Sequence, residues 1–167
     1  IRRQRQMCIR DRYHFDGHRL CGISFSPEET AKHKGICPVC KKPLTVGVLN
    51  RVVKLADRKE GFRPKNAIPY KSLIPLREII SESVNKGKNT KTVEKEYETL
   101  VKFGKNEFNV LLNLSFDELK EITSGRIAQG IIKARLGEVM IKPGYDGRYG
   151  EIKIFEKTEA ERQQKML

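Results

Sequence analysis

Apolar residues along this 167-residue chain fall into short patterned segments, and the pattern changes character near residue 76. Before that point the segments are brief. Tyr13–Phe15 reads as a short strand and Leu44-Thr45-Val46 as another. Val48, Leu49, Val52, Val53 and Leu55 recur at helical spacing, which predicts a helix with those side chains facing the core. Arg51, Lys54 and Arg58 would then lie on its outer face. Ser26-Pro27-Glu28-Glu29 is a helix start: Ser26 as N-cap, Pro27 at the first helical position, Glu29 closing a capping box, and Gly35 as the stop. Beyond residue 76 the periods lengthen. Pro75 opens a helix over LREIISESVN that Gly87 ends, and 92–103 carries the stripe Val93, Tyr97, Leu100, Val101. Phe108–Leu114 is apolar but undecided in type, Ser115-Phe116-Asp117-Glu118 is a second capping-box start, and Ile127, Ile131, Ile132 and Leu136 set a further helix over 124–136. Alternation over 138–142 and 149–155, around Pro143-Gly144-Tyr145-Asp146-Gly147-Arg148, predicts a β-hairpin with a longer loop.

These elements, with the spacing His18-x2-Cys21-x15-Cys37-x2-Cys40, predict an α+β chain: a small zinc-knuckle module, then a mostly helical region, then a terminal β-hairpin. The expected divisions are a leader over 1–12, the module over 13–58, a connector over 59–76, the helical region over 77–136, the hairpin over 137–155 and a frayed tail over 156–167. The connector holds three prolines and a glycine, so it is extended. Its Phe62, Ile68, Tyr70, Leu73 and Ile74 call for something to pack against.

Composition changes the picture in one respect. The net charge of +13 is large for this length and points to a polyanionic partner. Residues 1–12 hold five Arg and one Asp, which leaves +9 for the remainder. That opening dozen lacks period, caps and turn chemistry; it reads as a non-native leader in preference to a basic nucleic-acid arm. There is no apolar run of membrane-spanning length and no apolar signal region. Four cysteines, three of them at metal-like spacing, indicate a reducing, cytoplasmic setting.

The candidate chemistry lies in the first module. His18-x2-Cys21-x15-Cys37-x2-Cys40 has the spacing of a tetrahedral zinc site built from two knuckles. Ser24 stands where a second C-x-x-C would need cysteine, so His18 is the best fourth donor, with His14 as its rival. Buried thiols and a surface histidine are the plain alternative. A thioredoxin-like redox pair lacks its strand and helix context, and a zinc deaminase would need H-x-E, which none of the three histidines supplies. Four protein donors close the coordination sphere, which makes the expected Zn2+ structural. Cys8 falls outside the spacing. Gly87-Lys88-Asn89 and Gly104-Lys105-Asn106 lack the hydroxyl of a P-loop, so no helicase-type nucleotide site is expected. Ser124–Leu136, with its glycines and basic residues, is either half of a helix–hairpin–helix or an ordinary amphipathic helix.

The run from Tyr13 to Arg19, the Ser26 helix start, Gly35–Cys40 followed by Leu44–Leu49, Leu55–Arg58, Pro69–Leu76 and Pro143–Gly147 together resemble endonuclease Q. The likeness runs in order from Tyr13 to about Phe155. It implies a DNA repair role: that family joins a polymerase-and-histidinol-phosphatase (PHP) domain to a zinc-binding region and a helical tail. It nicks DNA on the 5′ side of deaminated bases such as uracil and hypoxanthine, and at abasic sites. The catalytic metals belong to the PHP domain, and no H-x-H pair occurs here, so the chain is expected to match the C-terminal portion and to be no nuclease alone. Position 50 is Asn where the family usually has His.

The resemblance makes DNA the partner, with deaminated bases as its expected content. Arg19, Arg51, Arg58 and Lys71 are the expected phosphate contacts, with Tyr70 as a stacking or packing partner. Pairing of Arg51 and Arg58 with Asp57, Glu60 or Glu78 is the competing reading. Gln163-Gln164-Lys165-Met166-Leu167 could begin a sliding-clamp peptide extended beyond Leu167, although the aromatic pair is lacking. A self-standing zinc-stabilised nucleic-acid-binding or scaffold module is the alternative to a portion of a repair endonuclease.

Overall fold

A computed structural model describes residues 11–58, 61–69 and 71–155. Its first element is β1 (Asp16–His18), three residues later than the strand expected at Tyr13. A single 3-10 turn over Arg19–Cys21 reverses the chain into β2 (Ile23–Phe25), which pairs antiparallel with β1 in the register Asp16↔Phe25, Gly17↔Ser24, His18↔Ile23. Helix α1 (Pro27–Lys32) starts as its sequence predicts: the Ser26 hydroxyl accepts from Glu29 N–H at 3.3 Å, and Glu29 Oε2 accepts from Ser26 N–H at 2.8 Å. The strand expected over Leu44–Val46 reduces to bridges at Pro43 and Thr45.

Helix α2 (Val48–Leu55) forms where periodicity places it, but its apolar positions do not face a core. Val48, Val52, Val53 and Leu55 are 44%, 44%, 51% and 65% exposed, and the one buried residue of the helix is Asn50. The reason lies at its N-terminus. The carbonyls of Tyr13 and His14 accept the Val48 and Leu49 N–H groups at 2.7 and 3.1 Å, and the Asp16 carboxylate accepts Gly47 N–H at 2.5 Å. Main-chain and carboxylate acceptors hold the first turn of this helix, and Asn50 is the side chain it turns inward, while Arg51 and Lys54 stay exposed.

The chain divides into two compact units. Ile1–Ile68 and Ile141–Ile152 make the first, and Pro69–Met140 and Lys153–Leu167 the second. The loop over 143–148, read from the sequence as part of the terminal hairpin, thus belongs to the first unit. Phe15 N–H donates to Gly144 O at 2.8 Å and Gly147 N–H to Arg12 O at 3.0 Å. The Tyr145 ring lies where a Cβ on Gly17 would sit, 2.5 Å from that position, so residue 17 must be glycine for β1 and the loop to meet.

The second unit holds the apolar core. It contains α3 (Leu76–Ser83), α4 (Lys91–Gly104), α5 (Glu107–Leu112), α6 (Phe116–Ile122) and α7 (Gly125–Leu136). Leu76, Ile79, Ile80, Leu100, Leu119 and Ile131 are fully buried there. Of the connector residues expected to pack, Leu73 and Ile74 lean on this core, whereas Phe62 and Ile68 are 56% and 86% exposed. The capping box at Ser115 and Glu118 is present. Gly125 and Gly130 both lie within α7, and Ser124 caps it through Ile127 N–H, so the segment is a capped amphipathic helix. Strands β3 (Met140–Lys142) and β4 (Glu151–Lys153) pair as a two-stranded sheet, the expected hairpin in shortened form.

Candidate metal centre

His18 ends β1, Cys21 ends the 3-10 turn, and Cys37 and Cys40 bracket a second tight turn. That turn is tied by Cys37 N–H to Lys42 O at 2.8 Å and by Lys41 N–H to Cys37 O at 3.0 Å. Two reversals of backbone therefore aim one imidazole and three sulfurs at the same point. The four donor atoms all lie within 4.8 Å of one another, and His18 Nδ1 and Cys40 Sγ are 3.3 Å apart. A tetrahedron with arms of about 2.0–2.3 Å has edges of about 3.3–3.8 Å, so a small contraction about an ion completes the geometry.

The donors differ in acidity. Burial works to raise the Cys37 thiol, but the backbone N–H groups of Cys40 and Val39, with His18 and Cys40 side chains, outweigh it and hold Cys37 at about 6. Burial, reinforced by the neighbouring Cys40 and Cys37 sulfurs, pushes Cys21 up to about 11. Cys37 is thus the more readily ionised of the two, and a cation entering the site would favour the thiolate form of its donors. The residues fit a soft divalent ion on a second ground. In the first unit, Cys37 and Leu44 are the only buried apolar side chains among the described residues, while His14, Asp16, Thr30 and Asn50 are buried polar ones. So thin an apolar core calls for a staple.

His14, the rival donor, is elsewhere. It is 7% exposed, stacks on Phe15 at 5.5 Å, and burial lowers its pKa against the pull of Asp11. The basic residues expected at DNA are all on the surface. Arg19 sits on the 3-10 turn between two donors, its N–H held by Asp146 Oδ2 at 2.5 Å. Arg51 is exposed on α2, and Arg58 lies over the Phe62 ring at 4.7 Å with Asp57 Oδ1 at 3.8 Å, so the competing pairing holds for Arg58 in part. Lys71 is exposed at the start of the second unit. Tyr70, Glu60, the segment 163–167 and residues 1–10 lie outside the described residues.

Two side chains with structural consequence at the site escape a reading of spacing and charge. Asp146 binds both Arg19 N–H and the Thr45 hydroxyl, the latter at 2.7 Å, and thereby braces the first knuckle from more than a hundred residues away. Asp16 is fully buried and joins β1 to α2. The only sequence signal for Asp146 is the turn-forming Pro-Gly-Tyr-Asp-Gly run, which says nothing of where the turn docks.

The family described as the MJ0043 C-terminal domain matches residues 75–138. Protein MJ0043 of Methanocaldococcus jannaschii is 39% identical over 141 residues, covering 84% of this chain and 18% of that protein. YqxK of Bacillus subtilis is 31% identical over 143 residues, covering 85% of this chain and 33% of that protein. Among solved structures, the lesion-specific endonuclease PfuEndoQ of Pyrococcus furiosus superposes with a TM-score of 0.74 at 27% identity, over 93% of this chain and 39% of that one. An endonuclease Q complex with a 27-mer duplex bearing an abasic lesion at the active site gives 0.71 at 30% identity, over 89% and 37%. The chain spans less than two fifths of each of these proteins.

Proposed function

We propose that this chain, which is similar to a partial region of endonuclease Q, is a DNA-holding, non-catalytic portion of a repair endonuclease acting at deaminated bases or abasic sites. The observation that carries the reading is the structural likeness, over 89% of this chain, to an endonuclease Q bound to duplex DNA with an abasic lesion. The chain's own residues add the chemistry. Arg19, Arg51, Arg58 and Lys71 are exposed cations, and the net charge of +13 favours phosphate.

In this reading His18, Cys21, Cys37 and Cys40 hold one Zn2+. Four protein donors leave a tetrahedral ion no open position, so the metal supplies folding energy and fixes the turn that carries Arg19. Metal-assisted hydrolysis of a phosphodiester needs an ion with an open coordination position. The chain has three histidines and no H-x-H pair, so the reading assigns strand cleavage to residues outside it.

The test is direct. Purified chain is titrated with a fluorescent duplex carrying an abasic site, over a range of salt, and the same mixture is assayed for nicking with Mg2+ or Mn2+. Binding that weakens steeply with salt, without nicking, is the expected result. Failure to bind any duplex at low salt would reject the reading.

A further inference from the structure

Helix α7 carries a basic face that the metal module does not account for. Arg126, Gln129 and Lys133 stand at i, i+3 and i+7, hence on one side of the helix. They line an open groove of the second unit together with Glu138, Val139, Met140, Ile154 and Phe155. The floor of that groove is the Phe155 ring. Arg126 Cζ lies 4.9 Å and Lys133 Nζ 5.5 Å from its centroid. Cation–π contact with this ring orders two long side chains that would otherwise lose rotamer entropy on binding.

The ring itself is fixed. Glu82 Oε1 accepts the N–H groups of Ile154 and Phe155 at 2.7 and 3.1 Å, so this carboxylate is occupied at the backbone. Gly130 makes the room: a Cβ there would come within 2.9 Å of Ser83 Oγ and 3.3 Å of the Phe155 ring. Among the described residues neither Arg126 nor Lys133 has an ion pair, and Glu138 is the one acid that lines the groove. A guanidinium lying over a ring keeps its N–H edge free for an oxyanion.

We propose that Arg126, Gln129 and Lys133, seated on Phe155, form an additional phosphate-contacting track for duplex DNA on the second unit. This rests on the DNA-holding reading above and extends it to a surface with no part in the metal site. Seven residues of helix separate the two cations by about 10 Å along the axis, the rise of about three base pairs for a helix lying along the duplex. One helix face can therefore meet two phosphates of the same strand, and the Gln129 amide between them can donate to a third oxygen.

The experiment uses the full chain and a duplex with an abasic site, with affinity measured by anisotropy between 50 and 200 mM salt. In the Arg126→Ala, Lys133→Ala double variant the slope of log affinity against log salt should shrink by about 1.8. The fourfold rise in salt should then cost that variant about 12-fold less affinity than it costs the parent. Arg126→Lys with Lys133→Arg keeps both charges and should keep the slope. If the double variant fails to fold, Arg126→Gln alone decides, with an expected change of about 0.9. An unchanged slope in a folded variant, with Arg51→Ala still reducing it, overturns this inference and leaves the DNA-holding reading intact. Absence of duplex binding by the parent chain overturns both.

Discussion

The carboxylate of Asp16 and the side-chain amide of Asn50 meet at 2.6 Å, with Asp16 fully buried and Asn50 7% exposed. The second carboxylate oxygen takes Gly47 N–H. A strand of the metal module is thereby fastened to the first turn of α2 by one acid. Position 50 is thus occupied by a side chain with a structural task, and its amide satisfies a group that would otherwise be buried alone.

Asn50→Ala should therefore destabilise the first unit by about 1–3 kcal/mol, because it strands a buried carboxylate oxygen. Asp16→Ala should cost more, since it orphans both the Gly47 N–H and the Asn50 amide. Thermal unfolding of the two variants gives the order. Equal melting temperatures for Asn50→Ala and the parent would remove this pair from the account of the fold.

Metal content is the next check. One zinc per chain is expected, and Cys37→Ser should lose it and unfold residues 13–50, since structural zinc supplies on the order of 10 kcal/mol. The helices of the second unit, with their own apolar core, should persist in that variant. Elemental analysis and far-UV circular dichroism with and without chelator give the answer. A Cys37→Ser chain that melts with the parent would sink the zinc assignment.

Arg51→Ala should lower the salt slope of duplex binding by about one contact, or about 0.9, without changing the melting temperature. Loss of affinity at an unchanged slope would indicate a folding effect in place of a lost phosphate contact. No change at any salt concentration would take Arg51 off the binding face.

Acid sensitivity should appear at Glu94. The guanidinium of Arg77 on α3 holds this α4 carboxylate through paired hydrogen bonds, one at 2.7 Å, and sets its pKa below the usual glutamate range. A depressed folded-state pKa contributes stability above the unfolded value of about 4.3, lost as pH falls through the lower folded value. Both side chains are about two fifths exposed, so the effect is screened and small. Glu94→Gln should melt slightly below the parent at pH 7, and the gap should close as the pH falls through the lowered folded-state pKa of Glu94. A gap that persists at low pH would point to packing of Arg77 on Tyr97, 4.4 Å away, as the stabilising contact.

Local chemistry was the legible part of this sequence. Within each pair the metal donors are separated by a short turn, so spacing alone brings the two members within reach, and the two pairs converge. Ser26 with Glu29 and Ser115 with Glu118 form capping boxes because a capping box is a property of four consecutive residues. What spacing cannot express is what stands opposite a face. The apolar stripe of α2 has the right period, yet Val52, Val53 and Leu55 are exposed because Asp16 and the carbonyls of Tyr13 and His14 orient the helix. Tyr145 and Asp146 read as turn residues, and their docking at Gly17, Arg19 and Thr45 is a long-range event that no local pattern records.

The return of residues 141–152 to the first unit has a consequence for synthesis. All four metal donors have left the ribosome once Cys40 and its followers are out, but the Tyr145 and Asp146 brace is still roughly a hundred residues away. At ribosomal speed that interval is on the order of 5–20 s. During it the cysteine turns stand without their last hydrogen bonds, open to metal exchange and to oxidation. The helices encoded over 69–140 are contiguous and can begin to collapse in that interval, although Ile154 and Phe155, which complete their core, follow only after residue 152. A nascent chain stalled before Pro143 would carry an unfinished first unit, so a lesion in the codons that follow would be felt in residues more than a hundred positions earlier.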